Sequence, residues 1–254
     1  MIGDPWFYLV AVPAVILCGL AKGGFSGLGV MAVPLMALVI SPVLAASILL
    51  PILIVQDVVS VWTFRKTWNG RILAIMLPAA AVGVFAGYAL VALVKPAAVE
   101  LCVGLVAVVF AVQRLWLDRV VGTEINPAAE SLPWQGVLAG VAAGFTSQIS
   151  HAGGPPFQIY VLPKRLPRDV FVGTSSIFFA AVNWMKVPAY LALGQFTSQT
   201  LATGLALLPL AIAATFAGVW LVRRVPVERF YQVIYGLLIA VGGKLIWDGV
   251  MGLF

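Results

Sequence analysis

The chain has 254 residues, of which 62% are hydrophobic and 9% are charged, and its mean hydropathy is +1.08. Soluble domains carry about 25% charged residues, so this composition excludes a soluble fold and indicates an integral membrane protein. The net charge of +6 is carried by loops rather than by one face, which argues against nucleic-acid binding. Because Cys18 and Cys102 lie in apolar runs without metal or disulfide spacing, we expect no metal and no cofactor.

Six apolar runs are long enough to cross a bilayer, which takes about 20 residues. In chain order they are 43–63, 72–93, 97–117, 168–192, 199–222 and 228–253. Four shorter runs form two pairs, and a glycine-rich segment joins the members of each pair. These runs are 6–21 with 28–40, and 133–148 with 155–162. The pattern predicts an all-α membrane protein with two short, glycine-broken helix hairpins, each followed by three transmembrane helices.

The two halves also share stretches of similar sequence. Residues 76–87 read MLPAAAVGVFAG and residues 207–218 read LLPLAIAATFAG, so the Leu-Pro, Phe and Ala-Gly positions coincide. The glycine-interrupted stretch 23–29 matches 147–154. A duplicated, strongly apolar chain whose copies each carry a broken segment is typical of a secondary transporter, in which the breaks form the substrate site.

Basic loops indicate how the segments are oriented, because cytoplasmic loops are enriched in Lys and Arg. Loops 65–71, 163–168 and 223–229 are basic and are predicted to be cytoplasmic, whereas 194–199 has no charge and is predicted to lie outside. Each half then makes an odd number of crossings, so the two repeats are expected to be inverted. A set of eight full spans with parallel repeats stays open as the alternative.

One transmembrane domain is expected over 1–254, with repeats at about 5–118 and 133–253 and a cytoplasmic loop at about 118–132 between them. The protein is predicted to be a multi-pass protein of the cell (inner) membrane with its N- and C-termini outside. Whether the hairpins are re-entrant or fully spanning stays open. The start Met-Ile-Gly-Asp-Pro lacks the basic segment of a cleavable signal peptide, so none is expected.

The two hairpin tips, 21–29 and 144–156, are the candidate anion site. Non-helical backbone survives at membrane depth only where protein or water satisfies its amide groups. The helix that leaves each tip presents free N–H groups and the positive end of its dipole, which favour an anion. Inverted symmetry would bring both tips together near the midplane. The predicted substrate-binding residues are Lys22, Gly23, Gly24, Phe25, Ser26, Ser147, Gln148, Ser150, His151, Gly153 and Gly154.

Lys22 and His151 stand out among these residues. A lysine inside a hydrophobic hairpin costs about 2.5–3.5 kcal/mol on insertion scales, so Lys22 either meets the substrate or a counter-ion, or pairs with a helix end. His151 is the single histidine of the chain and could donate to an anion, carry a coupled proton or bond to tip carbonyls. The serines are short donors suited to oxyanion oxygens, although any one of them could be a helix cap instead.

Polar residues inside the long runs are candidates for coupling or for lining the pathway. These are Gln56, Asp57, Asn183 and Ser175. Asn183 falls near the repeat position of Asp57, whose carboxylate needs a partner or a proton at this depth. Asp57 could pair with Lys22 or Lys186, relay a proton or hold helices together.

Structural roles are assigned to two lysines and to two pairs of small residues. Lys186 and Lys244 lie near predicted outer ends and are expected to snorkel towards the interface. Small residues spaced i, i+4 are expected to form helix-packing faces. They are Gly83, Gly87, Ala213 and Ala217.

The two broken segments resemble those of the TauE/SafE family of membrane anion transporters, often called sulfite exporters. The likeness rests on GLAKGGFSGLG at 19–29 and GFTSQISHAGGPP at 144–156, followed by YVLP at 160–163, and it covers nearly the whole chain. The resemblance implies a secondary transporter, expected to be an exporter, of small sulfur-containing organic or inorganic anions such as sulfite, sulfoacetate and related sulfonates, moved by alternating access. A small-anion channel and an importer of the same anions stay open as alternatives.

No set of residues in the chain points to catalysis. With a single histidine, no His-Glu-x-x-His and no Gly-x-Ser-x-Gly, we expect that the protein is not an enzyme. The expected partners are a small anionic substrate and the lipid bilayer, without nucleic acid. A monomer and a homodimer both stay open.

Overall fold

Ten α-helices and two short 3-10 helices form the part of the chain described by the computed structural model, namely residues 2–23, 27–120, 132–221 and 228–253. The first half contains α1 (Pro5–Gly23), a 3-10 helix (Leu28–Met31), α2 (Ala32–Met36), α3 (Pro42–Phe64), α4 (Gly70–Leu93) and α5 (Pro96–Val120). The second half contains α6 (Pro133–Ser150), α7 (Gly154–Val161), a 3-10 helix (Leu162–Lys164), α8 (Arg168–Ala192), α9 (Ser198–Leu221) and α10 (Glu228–Leu253). Most of the predicted linking loop, 118–132, lies outside the described residues.

Local sequence determines where several helices begin. The side chains of Ser41 and Asn69 accept hydrogen bonds from the backbone N–H groups of Leu44 and Ile72, at 3.3 and 3.1 Å, and thereby cap α3 and α4. Proline occupies the first position of α1, α3, α5 and α6, where its missing N–H would have no partner in the helix anyway.

Within the described residues, seven helices are long and apolar enough to cross a membrane, and apolar side chains such as Phe85 and Trp247 are more than half exposed. The prediction of an all-α membrane protein is therefore confirmed. Six of the seven are the predicted spans, and the seventh is α1, which was expected to be too short. It has 19 residues because the helix continues through Lys22 and Gly23, which were predicted to belong to the tip.

α3 and α8 pack side by side and run in opposite directions. Near the start of α3, the hydroxyl of Ser47 donates to Oε1 of Gln195, just beyond the end of α8, at 3.3 Å. Beyond the end of α3, the backbone N–H of Asn69 donates to Oγ1 of Thr174, in the second turn of α8, at 2.9 Å. The two helices thus meet along most of their length, with the start of each beside the end of the other.

α5 and α10 form a second antiparallel pair. A Cβ added to Gly104 would lie 2.7 Å from the carbonyl oxygen of Gly242, and one added to Gly249 would lie 2.6 Å from the backbone nitrogen of Leu101. Contacts this short leave no room for a side chain, so glycine allows the two helix backbones to approach closely.

α1 and α9, which belong to different halves, run side by side in the same direction. At their starts, the backbone N–H of Ile2 donates to Oγ1 of Thr203 at 3.1 Å. Towards their ends, a Cβ on Gly218 would lie 2.9 Å from Cα of Leu20 and 3.1 Å from Cα of Gly23. Glycine at 218 is therefore required by the closeness of the two backbones.

α6 and α4 repeat this arrangement with the halves exchanged. A Cβ on Gly87 would lie 2.8 Å from Cβ of Gln148 and 3.2 Å from the carbonyl oxygen of Phe145. Earlier in both helices, a Cβ on Gly140 would lie 2.7 Å from the carbonyl oxygen of Met76. Each half therefore packs its first α-helix along the fourth α-helix of the other half, and in the same direction.

The predicted packing faces are correct in the first half and shifted by one residue in the second. Gly83 and Gly87 are buried against α6, but Ala213 and Ala217 are exposed. The face that meets α1 contains Ala214 and Gly218 instead. The i, i+4 spacing fits both pairs equally well, so only the position of α1 selects between them.

Candidate functional site

A cavity of about 120 Å³ lies where the end of α1, the segment after it, α6, α7 and α8 meet. A cavity needs about 10–15 Å³ to hold one water molecule, so this one has room for several waters or for a small anion. Both halves of the chain supply its walls. The lining residues are Cys18, Ala21, Lys22, Gly27, Gly29, Val30, Leu53, Ser147, His151, Gly154, Gln158, Phe171, Val172, Ser175, Ser176, Phe179 and Asn183.

Lys22 reaches the cavity from the last turn of α1 and is held by a carboxylate. Its Nζ forms an ion pair with Oδ1 of Asp57 on α3, and Oδ2 of Asp57 accepts a hydrogen bond from Nδ2 of Asn183 on α8 at 2.5 Å. The Asp57 side chain is only 2% exposed, whereas that of Lys22 is 15% exposed. Nζ of Lys22 also lies 5.9 Å from the ring centre of Phe179, within cation–π range. Asp57 is thus fully bonded, while Lys22 still faces the cavity.

Lys186 lies behind the opposite wall and bonds to two residues that line the cavity. Its Nζ donates to the carbonyl oxygen of Ser147 at 3.2 Å and to the Ser147 hydroxyl at 3.1 Å, and it lies 2.6 Å from Nδ1 of His151. Nε2 of His151 lies 2.9 Å from the carbonyl oxygen of Ala46 on α3. A carbonyl can only accept, so Nε2 carries the proton and Nδ1 accepts from Lys186. The imidazole is therefore neutral and fixed between α3 and α8.

The expectation that Lys186 snorkels is wrong. Its side chain is 0% exposed, and its three hydrogen bonds end on α6 and on the residue that follows α6. Snorkelling requires a helix face that borders lipid, but the face of α8 that carries Lys186 packs against α3 and α6. Lys244, in contrast, is exposed and pairs with Asp248 one turn later.

The family model for the sulfite exporter TauE/SafE matches residues 11–245, nearly the whole chain and all the elements around the cavity. The chain belongs to the sulfite exporter TauE/SafE family. Members of this family are membrane transporters rather than enzymes, as the sequence analysis expected, so the protein is a multi-pass membrane transporter with a small anionic substrate. The comparisons with curated proteins and with solved structures found no match.

Six of the residues predicted for the site line the cavity of this TauE/SafE protein. They are Lys22, Ser147, His151 and Gly154 from the tips, and Ser175 and Asn183 from α8. Three further predicted ligands, Gly24, Phe25 and Ser26, lie outside the described residues. Asp57 does not line the cavity but acts on it through its ion pair with Lys22.

The other predicted ligands, Gly23, Gln148, Ser150 and Gly153, lie away from the cavity lining. Gly23 and Gln148 are on helix faces that pack against α9 and α4. The Ser150 hydroxyl donates to the carbonyl oxygen of Thr146 at 3.2 Å, within its own helix. At Gly153 a Cβ would lie 2.7 Å from a carbonyl oxygen of α6, so glycine there permits close packing.

Gln56, which was predicted to serve coupling or the pathway, connects two helices. Its Nε2 donates to the carbonyl oxygen of Ala211 on α9 at 3.1 Å, and its side chain does not line the cavity. The residue is fully buried. This hydrogen bond connects α3 to α9, a structural role that any buried amide side chain can have.

The breaks between helices are narrower than the predicted tips. α6 continues to Ser150 and α7 begins at Gly154, so only residues 151–153 separate them. His151 ends α6 in the left-handed conformation, with φ of 54°, which is uncommon for a residue other than glycine. In the first half the segment after the break begins as a 3-10 helix at Leu28, where an α-helix N-terminus was predicted. Polar residues near a glycine cluster suggest a loop, but helix packing keeps them helical.

Several residues of the site were missed or given another role from the sequence, and three of them are instructive. Gln158 is a polar residue within the short apolar run of α7, a signal that could have identified it. Lys186 follows Asn183 by three residues and therefore lies on the same face of α8, which could have placed it near the site. Phe179 carries no signal in the sequence, because an aromatic residue in an apolar run is ordinary.

Proposed function

We propose that this protein is a secondary transporter, acting as an exporter, of small sulfur-containing anions such as sulfite, sulfoacetate or related sulfonates. The anion would bind in the cavity between α1, α6, α7 and α8. The observation that carries the proposal is that Lys22 from one half and the Lys186-bound Ser147 and His151 from the other reach a single cavity. Family membership supplies the sulfur chemistry of the substrate.

On binding, the anion would exchange its hydration water for hydrogen-bond donors on both walls of the cavity. Lys22 has N–H groups beyond the one that binds Asp57, and it faces the cavity. The hydroxyl oxygen of Ser147 accepts from Lys186, so its own hydrogen is free to point at an anion. Ser175, in the N-terminal half of α8, contributes a further hydroxyl to the cavity lining. Hydrogen bonds in which one partner is charged are stronger than those between two neutral groups.

We also propose that residues of about 5–118 and 133–253 are inverted repeats of one transmembrane domain. The antiparallel pairs α3 with α8 and α5 with α10, and the parallel pairs α1 with α9 and α6 with α4, are those that a two-fold axis in the membrane plane would produce. Repeats related by an axis along the membrane normal would make α3 and α8 parallel. The basic loops then place the Pro5 end of α1 and the Leu253 end of α10 outside, in the cell inner membrane.

Transport would proceed by alternating access around the cavity. The two helix–break–helix units, with the helices that adjoin them, would rock against the rest of the bundle and open the cavity to one side at a time. Asp57 is the candidate for coupling, because an anion that draws Lys22 towards the cavity leaves a buried carboxylate in need of a proton.

Thermal shift on purified protein tests the proposal directly. Sulfite, isethionate, sulfoacetate, sulfate and acetate are each added to the wild type, to Lys22→Ala and to Lys244→Ala, a control that removes an exposed lysine. A sulfur anion is expected to raise the unfolding temperature of the wild type and of the control, but not of Lys22→Ala. If no sulfur anion stabilises the wild type or exchanges in proteoliposome counterflow, the proposal is wrong. Flux without saturation or counterflow would favour the channel.

A further inference from the structure

The balance of charges around the cavity restricts which anions it can take. We propose that the cavity selects singly charged anions over doubly charged ones, because Asp57 neutralises Lys22 and leaves Lys186 as the cation that the anion must balance. This inference rests on the proposed function and narrows it. Among sulfur anions it favours hydrogensulfite and simple monosulfonates over the sulfite dianion and sulfoacetate.

The net charge of the site depends on four side chains, which are those of Lys22, Asp57, Lys186 and His151. Lys22 and Asp57 form an ion pair and cancel. Lys186 is fully buried and bonds to a carbonyl, a hydroxyl and an imidazole nitrogen, none of which carries charge. Neither ion pair found among the described residues involves Lys186. Because His151 is neutral in this arrangement, a protonated Lys186 leaves the site with a single positive charge.

The origin of this charge lies in a difference between the two halves. The contacts of Leu20 and Gly23 with Gly218 match those of Phe145 and Gln148 with Gly87, so Lys22 and Ser147 occupy corresponding positions. Ser60 and Lys186 also correspond, since each lies eighteen positions after the first residue of its helix. Each half thus has one lysine, but the two lysines occupy different positions. Lys22 bonds to Asp57 on α3, whereas Lys186 bonds to Ser147 on α6 and to His151.

The carboxylate, however, is present in one half only. Asp57 and Asn183 each lie fifteen positions after the first residue of their helices, so the counterpart of the carboxylate is an uncharged amide. Two lysines therefore share one carboxylate. A buried charge without a partner is strongly unfavourable, so an anion carrying one charge restores neutrality, whereas a second negative charge would itself lack a partner.

Three sulfonates that differ in charge but little in size provide the probes. Isethionate, sulfoacetate and taurine share a two-carbon chain with a sulfonate, and they end in a hydroxyl, a carboxylate and an ammonium group. Their net charges are minus one, minus two and zero. We expect the wild type to bind isethionate about tenfold or more tightly than the other two, as measured by thermal shift titration and by competition in proteoliposome counterflow.

Asp57→Asn is the decisive variant. It keeps the shape of the side chain, and its oxygen can still accept from Lys22 if the amide of Asn183 turns to match it. The site then carries two positive charges, so the ratio of sulfoacetate affinity to isethionate affinity is expected to rise about tenfold or more. Lys186→Met is expected to abolish binding of both anions, whereas Lys244→Met, which removes an exposed lysine paired with Asp248, is expected to leave both affinities unchanged.

The results separate this inference from the proposed function. If the wild type binds sulfoacetate as tightly as isethionate, or if Asp57→Asn leaves their ratio unchanged, the charge selection is wrong although the protein still binds sulfur anions. If the wild type binds no sulfur anion, the proposed function itself fails. Should Lys186→Met not fold, the ratio in Asp57→Asn decides alone.

Discussion

Asn183 donates a hydrogen bond to Asp57 from the same position in α8 that Asp57 holds in α3. In the inverted repeats that we propose, two corresponding residues can touch only where the axis relating the copies passes between them. Two aspartates in this place would repel each other, and two asparagines would leave Lys22 without a counter-ion. One aspartate and one asparagine can hydrogen-bond to each other. The pair therefore holds Lys22 through the carboxylate and connects the two halves.

Asn183→Ala is expected to destabilise the protein. It removes the donor to Oδ2 of Asp57, a carboxylate that is 2% exposed, and loss of a partner to a buried polar group costs about 1–3 kcal/mol or more. The measurement is the thermal unfolding midpoint in detergent without ligand. Trp184→Ala, at the 60% exposed neighbour, is the control and is expected to change stability by about 0.5 kcal/mol at most. Equal midpoints for the two variants would contradict the role of this hydrogen bond.

Gly218→Ala is expected to weaken the packing of α1 on α9. The added Cβ would lie 2.9 Å from Cα of Leu20 and 3.0 Å from its carbonyl oxygen, so the two helices must separate. Overpacking of this kind costs about 1–3 kcal/mol.

Gly243→Ala is the matched control for that variant. A Cβ at this position of α10 meets nothing within 4 Å, and alanine favours the helix by about 1 kcal/mol relative to glycine. Unfolding midpoints measured side by side should therefore fall for Gly218→Ala and stay equal or rise for Gly243→Ala. A rise for both would show that the close approach does not constrain residue 218.

Ser147→Ala is expected to weaken anion binding by about tenfold, because a hydrogen bond to a charged group contributes about 1.5–3 kcal/mol. Ser150→Ala, three residues along the same helix, is the control, since its hydroxyl bonds to the carbonyl of Thr146 rather than to the cavity. Both variants are titrated with isethionate by thermal shift. Equal affinities in the two variants would remove Ser147 from the site.

The inverted orientation of the repeats can be tested by labelling single cysteines in intact cells. Lys66→Cys and Gln199→Cys place an exposed thiol after α3 and at the start of α9, in a protein whose Cys18 and Cys102 have been replaced by alanine. A membrane-impermeant maleimide is expected to label residue 199 in intact cells and residue 66 only after permeabilisation. Labelling of both from outside would contradict the topology.

The sequence and the structure agree best where the signal is local or repeated. The six longest apolar runs, the positions of both helix breaks and the polar residues Lys22, Ser147 and His151 could all be predicted, because length, glycine content and buried charge are read along the chain. The register of α1 on α9 could not, since Ala213 and Ala214 fit the same spacing rule until a neighbouring backbone selects one of them.

The sequence by itself determined that this protein is an all-α membrane protein of the TauE/SafE family with two glycine-broken halves, since hydropathy, motif and repeat depend only on residue order. Only the tertiary structure decided which lysine has its charge neutralised by the Asp57 carboxylate. Lys22 and Lys186 are both lysines in apolar surroundings, and their positions along the chain do not show which of them pairs with Asp57. The packing of α3 places Asp57 against Lys22, and that of α8 turns Lys186 inwards to Ser147 and His151. Electrostatic pairing acts over a few ångströms in space, so it follows helix packing rather than sequence.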